Sequence, residues 1–107
     1  MDKPKELLYK LAESDNLWER RISMLATLHF IKNGQFEDTL KIADLPLGDD
    51  HDLIHKAVGW MLREIGNRDQ NRLKEFLKSR HEKMPRTMLR YAIEKFPEPL
   101  RTSYLKS

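Results

Sequence analysis

The sequence predicts an all-α domain of six to seven short helices, and three observations carry that expectation. Apolar residues recur at three- and four-residue offsets along nearly the whole chain. Cap and breaker residues punctuate these stretches every few turns, as at "SDN", "KNG", "GDD" and "IGN". No segment alternates apolar and polar residues in the way a half-buried strand requires.

In chain order, "KPKELLYKLAES" sets Leu7, Leu8, Leu11 and Ala12 on one stripe, with Pro4 acceptable in a first turn. "SDNLWERRISMLATLHFIKNG" opens on the cap candidates Ser14, Asp15 and Asn16, and Gly34 stops it. "QFEDTLKIADL" aligns Phe36, Leu40 and Ala43 before Pro46 and Gly48 break it. "GDDHDLIHKAVGWMLREIGN" begins at Asp49 and Asp50, whose carboxylates suit a helix N-terminus, and ends at Gly66-Asn67. "DQNRLKEFLKSRH" aligns Leu73, Phe76 and Leu77. "MPRTMLRYAIEKFP" aligns Leu89, Ala92, Ile93 and Phe96, and "EPLRTSYLK" pairs Leu100 with Tyr104. Short helices joined by short connections pack antiparallel, as a bundle or as a stack of helical hairpins.

The 107 residues suffice for one domain spanning 1–107. With no cysteine, disulfide and thiolate chemistry are excluded and a cytoplasmic location is expected. "MDKPKELLYK" lacks the apolar core of a signal peptide, and no run suits a membrane span. The net charge of +3 is unevenly spread. Residues 1–50 hold 7 Lys/Arg against 10 Asp/Glu, whereas residues 51–107 hold 13 against 7, giving −3 and +6. A basic half invites a polyanion, and a set of solvated helix faces is the competing reading.

One helix is informative in detail. Ile54, Ala57, Val58, Met61, Leu62 and Ile65 form a continuous core stripe, and Trp60 lies roughly 130° from its centre. Lys56 and Arg63 are one turn from Trp60 on either side, so all three share a patch outside the core stripe. An indole between two cations suits nucleic acid: the cations neutralise phosphate and the ring offers a face for stacking. Two structural alternatives are open, with Trp60 covered by a neighbouring helix or serving as a peripheral staple for a cation. In "NLWERR", Trp18 aligns with Ile22, Leu25 and His29, which predicts a core tryptophan and a core histidine. Leu17, Met24, Leu28 and Ile31 form a second stripe, so this helix is expected to be largely surrounded by others. Arg21 flanks the apolar face and needs a partner, either a polyanion or Glu19 or Asp15.

The stretches "SDNLWERRISMLATLHFIKNG", "DDHDLIHKAVGWMLREIGNRD" and "MPRTMLRYAIEKF" together resemble the DNA alkylation repair family of HEAT-like glycosylases, from residue 14 onward. The resemblance implies stacked antiparallel helical hairpins, half of an α-solenoid with a basic groove for duplex DNA. It also implies excision of cationic N3- or N7-alkylated purines. By the match to "KAVGWMLRE", Trp60 corresponds to a groove tryptophan and Arg63 to a residue at the DNA backbone. Arg21 best matches a groove arginine, with the adjacent Arg20 leaving the register one residue open. The chain resembles the C-terminal half of family members, and the catalytic acid and a second groove tryptophan lie upstream of the matching part. No acid of this chain inherits the catalytic role. A half-solenoid also implies an exposed end suited to a second copy or an N-terminal companion.

Other chemistry has less support. His51 and His55 have metal-ligand spacing, but "HDLIH" lacks the glutamate of the metalloprotease motif, and no metal or cofactor is expected. The four glycines form no phosphate loop, and the serines lie in no nucleophile elbow. The expected DNA-contact residues are Lys56, Trp60, Arg63 and Arg21. Arg86 and Arg90 join them as further phosphate contacts, although that pair also reads as ordinary solvated arginines. A non-catalytic helical scaffold for a protein partner is the alternative function.

Overall fold

A computed structural model of the chain describes residues 3–45 and 51–106. Among them are eight helices and no strand: α1 (Lys3–Ala12), α2 (Leu17–Ala26), α3 (Leu28–Lys32), α4 (Glu37–Asp44), α5 (Asp52–Arg68), α6 (Gln70–Lys78), α7 (Arg86–Ala92) and α8 (Glu98–Lys106). The pair α2 and α3 is one helical unit broken at Thr27, so seven units are present among the described residues, within the six to seven expected. The break has a local cause. Thr27 is buried, and its hydroxyl donates to the Met24 carbonyl at 2.7 Å, as does its own N–H at 3.2 Å. Such back-bonding disturbs the helical ladder.

The caps follow the residues. Asn16 Oδ1 accepts from the N–H groups of Trp18 and Glu19 at 2.8 and 3.2 Å, fixing the start of α2. Gly34, at φ 78°, supplies the left-handed turn after α3. Asp69 caps α6 through the Arg72 N–H. The expected caps Asp49 and Asp50, and the breakers Pro46 and Gly48, lie outside the described residues.

The core centres on α5, which packs against α2, α3, α4, α6 and α7. Ile54, Ala57, Val58, Met61, Leu62 and Ile65 are all buried, as their stripe predicts. The stripes of α6 and α7 are buried too, at Leu73, Phe76 and Leu77 and at Leu89, Ala92, Ile93 and Phe96. Contacts join helices two units apart (α1 with α4, α2 with α5, α5 with α7) as well as consecutive ones. The described residues extend 41 × 30 × 19 Å along their principal axes.

The second unit corrects the sequence expectation. Trp18 and Ile22 are not core: they are 58% and 54% exposed, and His29 is exposed as well. The buried side instead carries Ser23, Met24, Thr27 and Ile31, with Leu17 and Leu28 partly buried beside them. Ser23 Oγ donates to the Leu8 carbonyl at 2.7 Å, so a small hydroxyl residue lets α1 approach α2 with its polar atom satisfied. An apolarity wheel scores serine and threonine as outward-facing, which displaced the deduced core onto Trp18. This unit is therefore not surrounded on all sides.

No helix among the described residues is long and apolar enough to cross a membrane.

Candidate nucleic-acid interface

The candidate face is built on α5 and α7, joined by close backbone approach. Gly59 is buried in mid-helix, and a Cβ there would sit 2.5 Å from Tyr91 Cβ and 2.7 Å from the Met88 carbonyl oxygen. Absence of that Cβ lets Tyr91 of α7 lie directly over α5, one residue before Trp60. Trp60 is 38% exposed, so no neighbouring helix fully covers its ring.

Trp60, Lys56 and Arg63 each have a carboxylate partner. Trp60 Nε1 donates to Glu64 Oε2 at 3.3 Å, and Arg68 holds the other Glu64 oxygen at 2.8 Å. The Arg68 guanidinium, helped by the Trp60 N–H and Arg63, keeps the Glu64 carboxyl below its usual range against the opposing effect of partial burial. Lys56 pairs with Asp52 at 3.2 Å, and this carboxylate raises the lysine further into its charged range. Arg63 is ion-paired with Glu94, just beyond the end of α7. Arg63, Arg90, Tyr91 and Glu94 line a shallow, open depression of about 520 Å³. Arg63 and Arg90 thus border one α5–α7 depression, and Lys56 and Trp60 lie on the same helix as Arg63.

The remaining sequence candidates lie elsewhere in the fold. Arg86 donates to the Leu105 carbonyl at 2.6 Å, tying α7 to the last turn of α8, where a cation also complements the negative end of the helix dipole. Arg21, on α2, places its guanidinium carbon 5.9 Å from the Trp18 ring centroid. Its Nε is buried without a hydrogen-bond partner, and Glu19 instead accepts from Ser14 Oγ at 2.5 Å. Among the described residues, no group of three or more His, Cys, Asp or Glu side chains converges as a metal site.

Tyr91, Glu94 and Glu64 are members of the face that the sequence reading passed over. Glycine in the middle of an amphipathic helix was the available signal: it weakens the helix by about 1 kcal/mol relative to alanine, which points to a close neighbour. Glu94 carries no comparable signal, because its partner lies 31 residues away.

A family model described as DNA alkylation repair enzyme matches residues 1–96 of the chain. No curated protein and no solved structure matches it.

Proposed function

The chain belongs to the DNA alkylation repair family, and from that membership we propose that its α5–α7 face binds the duplex on which repair is carried out. A role in DNA alkylation repair follows from the family. The observation that carries the finer reading is Trp60, exposed outside the core with Lys56 and Arg63 on the same helical face and Arg90 and Tyr91 supplied by α7. The cations suit phosphate and the rings suit an unstacked base or a sugar edge. Contacts between helices two units apart support HEAT-like stacking of hairpins, with this chain as half of a solenoid.

The reaction in this proposal is glycosidic cleavage of a cationic N3- or N7-alkylpurine. Its leaving base is already activated by positive charge, so the barrier resides in oxocarbenium character at the sugar. A carboxylate that stabilises that charge and orients water is the remaining requirement. By the family resemblance no acid of this chain, Glu64, Glu94 and Asp52 included, takes the catalytic role. The chain alone is therefore proposed to bind alkylated duplex without excising the base.

Fluorescence anisotropy of a labelled duplex, titrated at several salt concentrations, tests the binding. Expected is a log–log salt slope of about −0.9 per neutralised phosphate. Trp60→Ala is expected to weaken binding by about 1 kcal/mol or more. Absence of binding at low salt overturns the DNA reading, and release of alkylpurine well above background overturns the non-catalytic part. A second reading, a helical scaffold pairing with another copy or an N-terminal companion, is favoured by the exposed Trp18 and Ile22 one turn apart on α2.

A further inference from the structure

The arginines of the proposed interface are not equally available to a phosphate. In the depression lined by Arg63, Arg90, Tyr91 and Glu94 there is a single carboxylate, and it is bound to Arg63. The two partners differ in accessibility: the Arg63 side chain is 23% exposed and that of Glu94 is 54% exposed. Solvent therefore reaches the carboxylate more readily than the guanidinium. Arg101 donates to the Glu94 carbonyl at 3.4 Å, giving the backbone at this position a tether while the side chain stays accessible.

Building on the DNA-binding reading above, we propose that Glu94 is an internal competitor for phosphate. It occupies Arg63 in the free protein and is displaced when a backbone phosphate enters the depression. The exchange replaces one anion by another at the same guanidinium, so Arg63 contributes less net affinity than an unpaired arginine would. Phosphate contacts position a protein on DNA without carrying sequence or lesion information. Weakening them by an internal carboxylate shifts the balance of recognition toward the contacts of Trp60.

Glu94 is the acid best suited to this role. Asp52 and Lys56 are an i, i+4 pair exposed on both sides, where pairing is weak. Glu64 is shared between Arg68 and the Trp60 indole, so its removal perturbs the aromatic group as well.

The test is a duplex titration at fixed moderate salt with wild type, Glu94→Gln, Arg63→Ala and the double variant. Glu82→Gln is the charge-matched control, because Glu82 lies in the α6–α7 connection outside this face. Glu94→Gln is expected to tighten binding about two- to fivefold, the range expected on releasing an exposed ion pair. Glu82→Gln is expected to give a smaller general gain, and the excess at Glu94 is expected to vanish in the Arg63→Ala background. Equal gains from the two glutamine variants, or an excess that persists without Arg63, overturn the proposal while leaving DNA binding intact. Failure of wild type and every variant to bind overturns the DNA reading and this proposal together. Glu94→Ala repeats the comparison without a hydrogen-bonding side chain, and circular dichroism melts verify that each variant is folded.

Discussion

Tyr9 and Asp38 illustrate how much a single polar contact does at the edge of this small core. The Tyr9 hydroxyl donates to Asp38 Oδ1 at 2.7 Å, and Lys5 Nζ lies 3.1 Å from Oδ2, so one carboxylate ties α1 to α4. Burial alone would raise Asp38, but the Tyr9 hydroxyl and the Lys5 ammonium outweigh it and hold the carboxyl below its ordinary value. Tyr9 moves the other way: burial, then its bond to Asp38, pushes the phenol up to about 12. The two shifts bracket a stable window. The Asp38 contribution is complete above the ordinary aspartate range and is lost as pH falls through its lowered folded value. The Tyr9 contribution is complete below the ordinary tyrosine pKa of about 10 and is lost as pH rises through about 12. Tyr9→Phe is expected to cost about 1 kcal/mol in urea melts at neutral pH. The difference from wild type should shrink at both extremes, and a constant difference across pH would exclude this linkage. None of this was readable from the sequence, because Tyr9 and Asp38 are 29 positions apart and obey no local spacing rule.

Elements were legible where their apolar stripe was single and continuous. The stripe of α5 assigned every buried apolar side chain on that helix, though not the buried Gly59, and left Trp60 outside, which is where the fold has it. The unit α2–α3 carried two adjacent stripes, and the choice between them turned on Ser23 and Thr27, whose hydroxyls are buried and satisfied. Its break at Thr27 was equally hidden, since threonine is unremarkable in a helix until its hydroxyl takes a backbone carbonyl. The two glycines of α5 separate local propensity from packing between helices. Gly59→Ala places a methyl against Tyr91 Cβ and the Met88 backbone, neither of which yields easily. A net loss of roughly 1–2 kcal/mol is expected, since overpacking exceeds the gain in helix propensity of about 1 kcal/mol. Gly66→Ala meets the Leu73 Cδ2 atom, the tip of a side chain that can rotate, so its effect should be near neutral or stabilising. Thermal melts of the two variants decide this, and equal effects would remove the close-approach argument for the α5–α7 face.

For the whole molecule, the division of charge between the halves was visible at once, whereas the ion pairs that join α4 to α6 and to the turn after it were not. Arg72 meets Glu37 and Arg80 holds Asp44, the latter at 2.8 Å through its second nitrogen, across 35 and 36 residues. The exposed Trp18 and Ile22 give the acidic half a surface of its own. Wild type is expected to associate with rising concentration in sedimentation equilibrium, and Trp18→Ser with Ile22→Ser is expected to stay monomeric. Because both positions are exposed, the stability of that variant should change by no more than about 0.5 kcal/mol per site. A wild-type monomer throughout the micromolar range would deny the patch this role.

The centrality of α5 carries one more consequence. It touches five other helices, whereas α8 rests on α7 and, through Tyr104, on the rings of His81 and Phe96. Amide protons in the middle of α5 are therefore expected to exchange mainly when the whole domain opens, while those of α8 have a cheaper local route. The helix that presents Trp60 is thus expected to be among the last to exchange its hydrogens, and native-state hydrogen exchange would show whether the proposed binding surface persists as long as the fold.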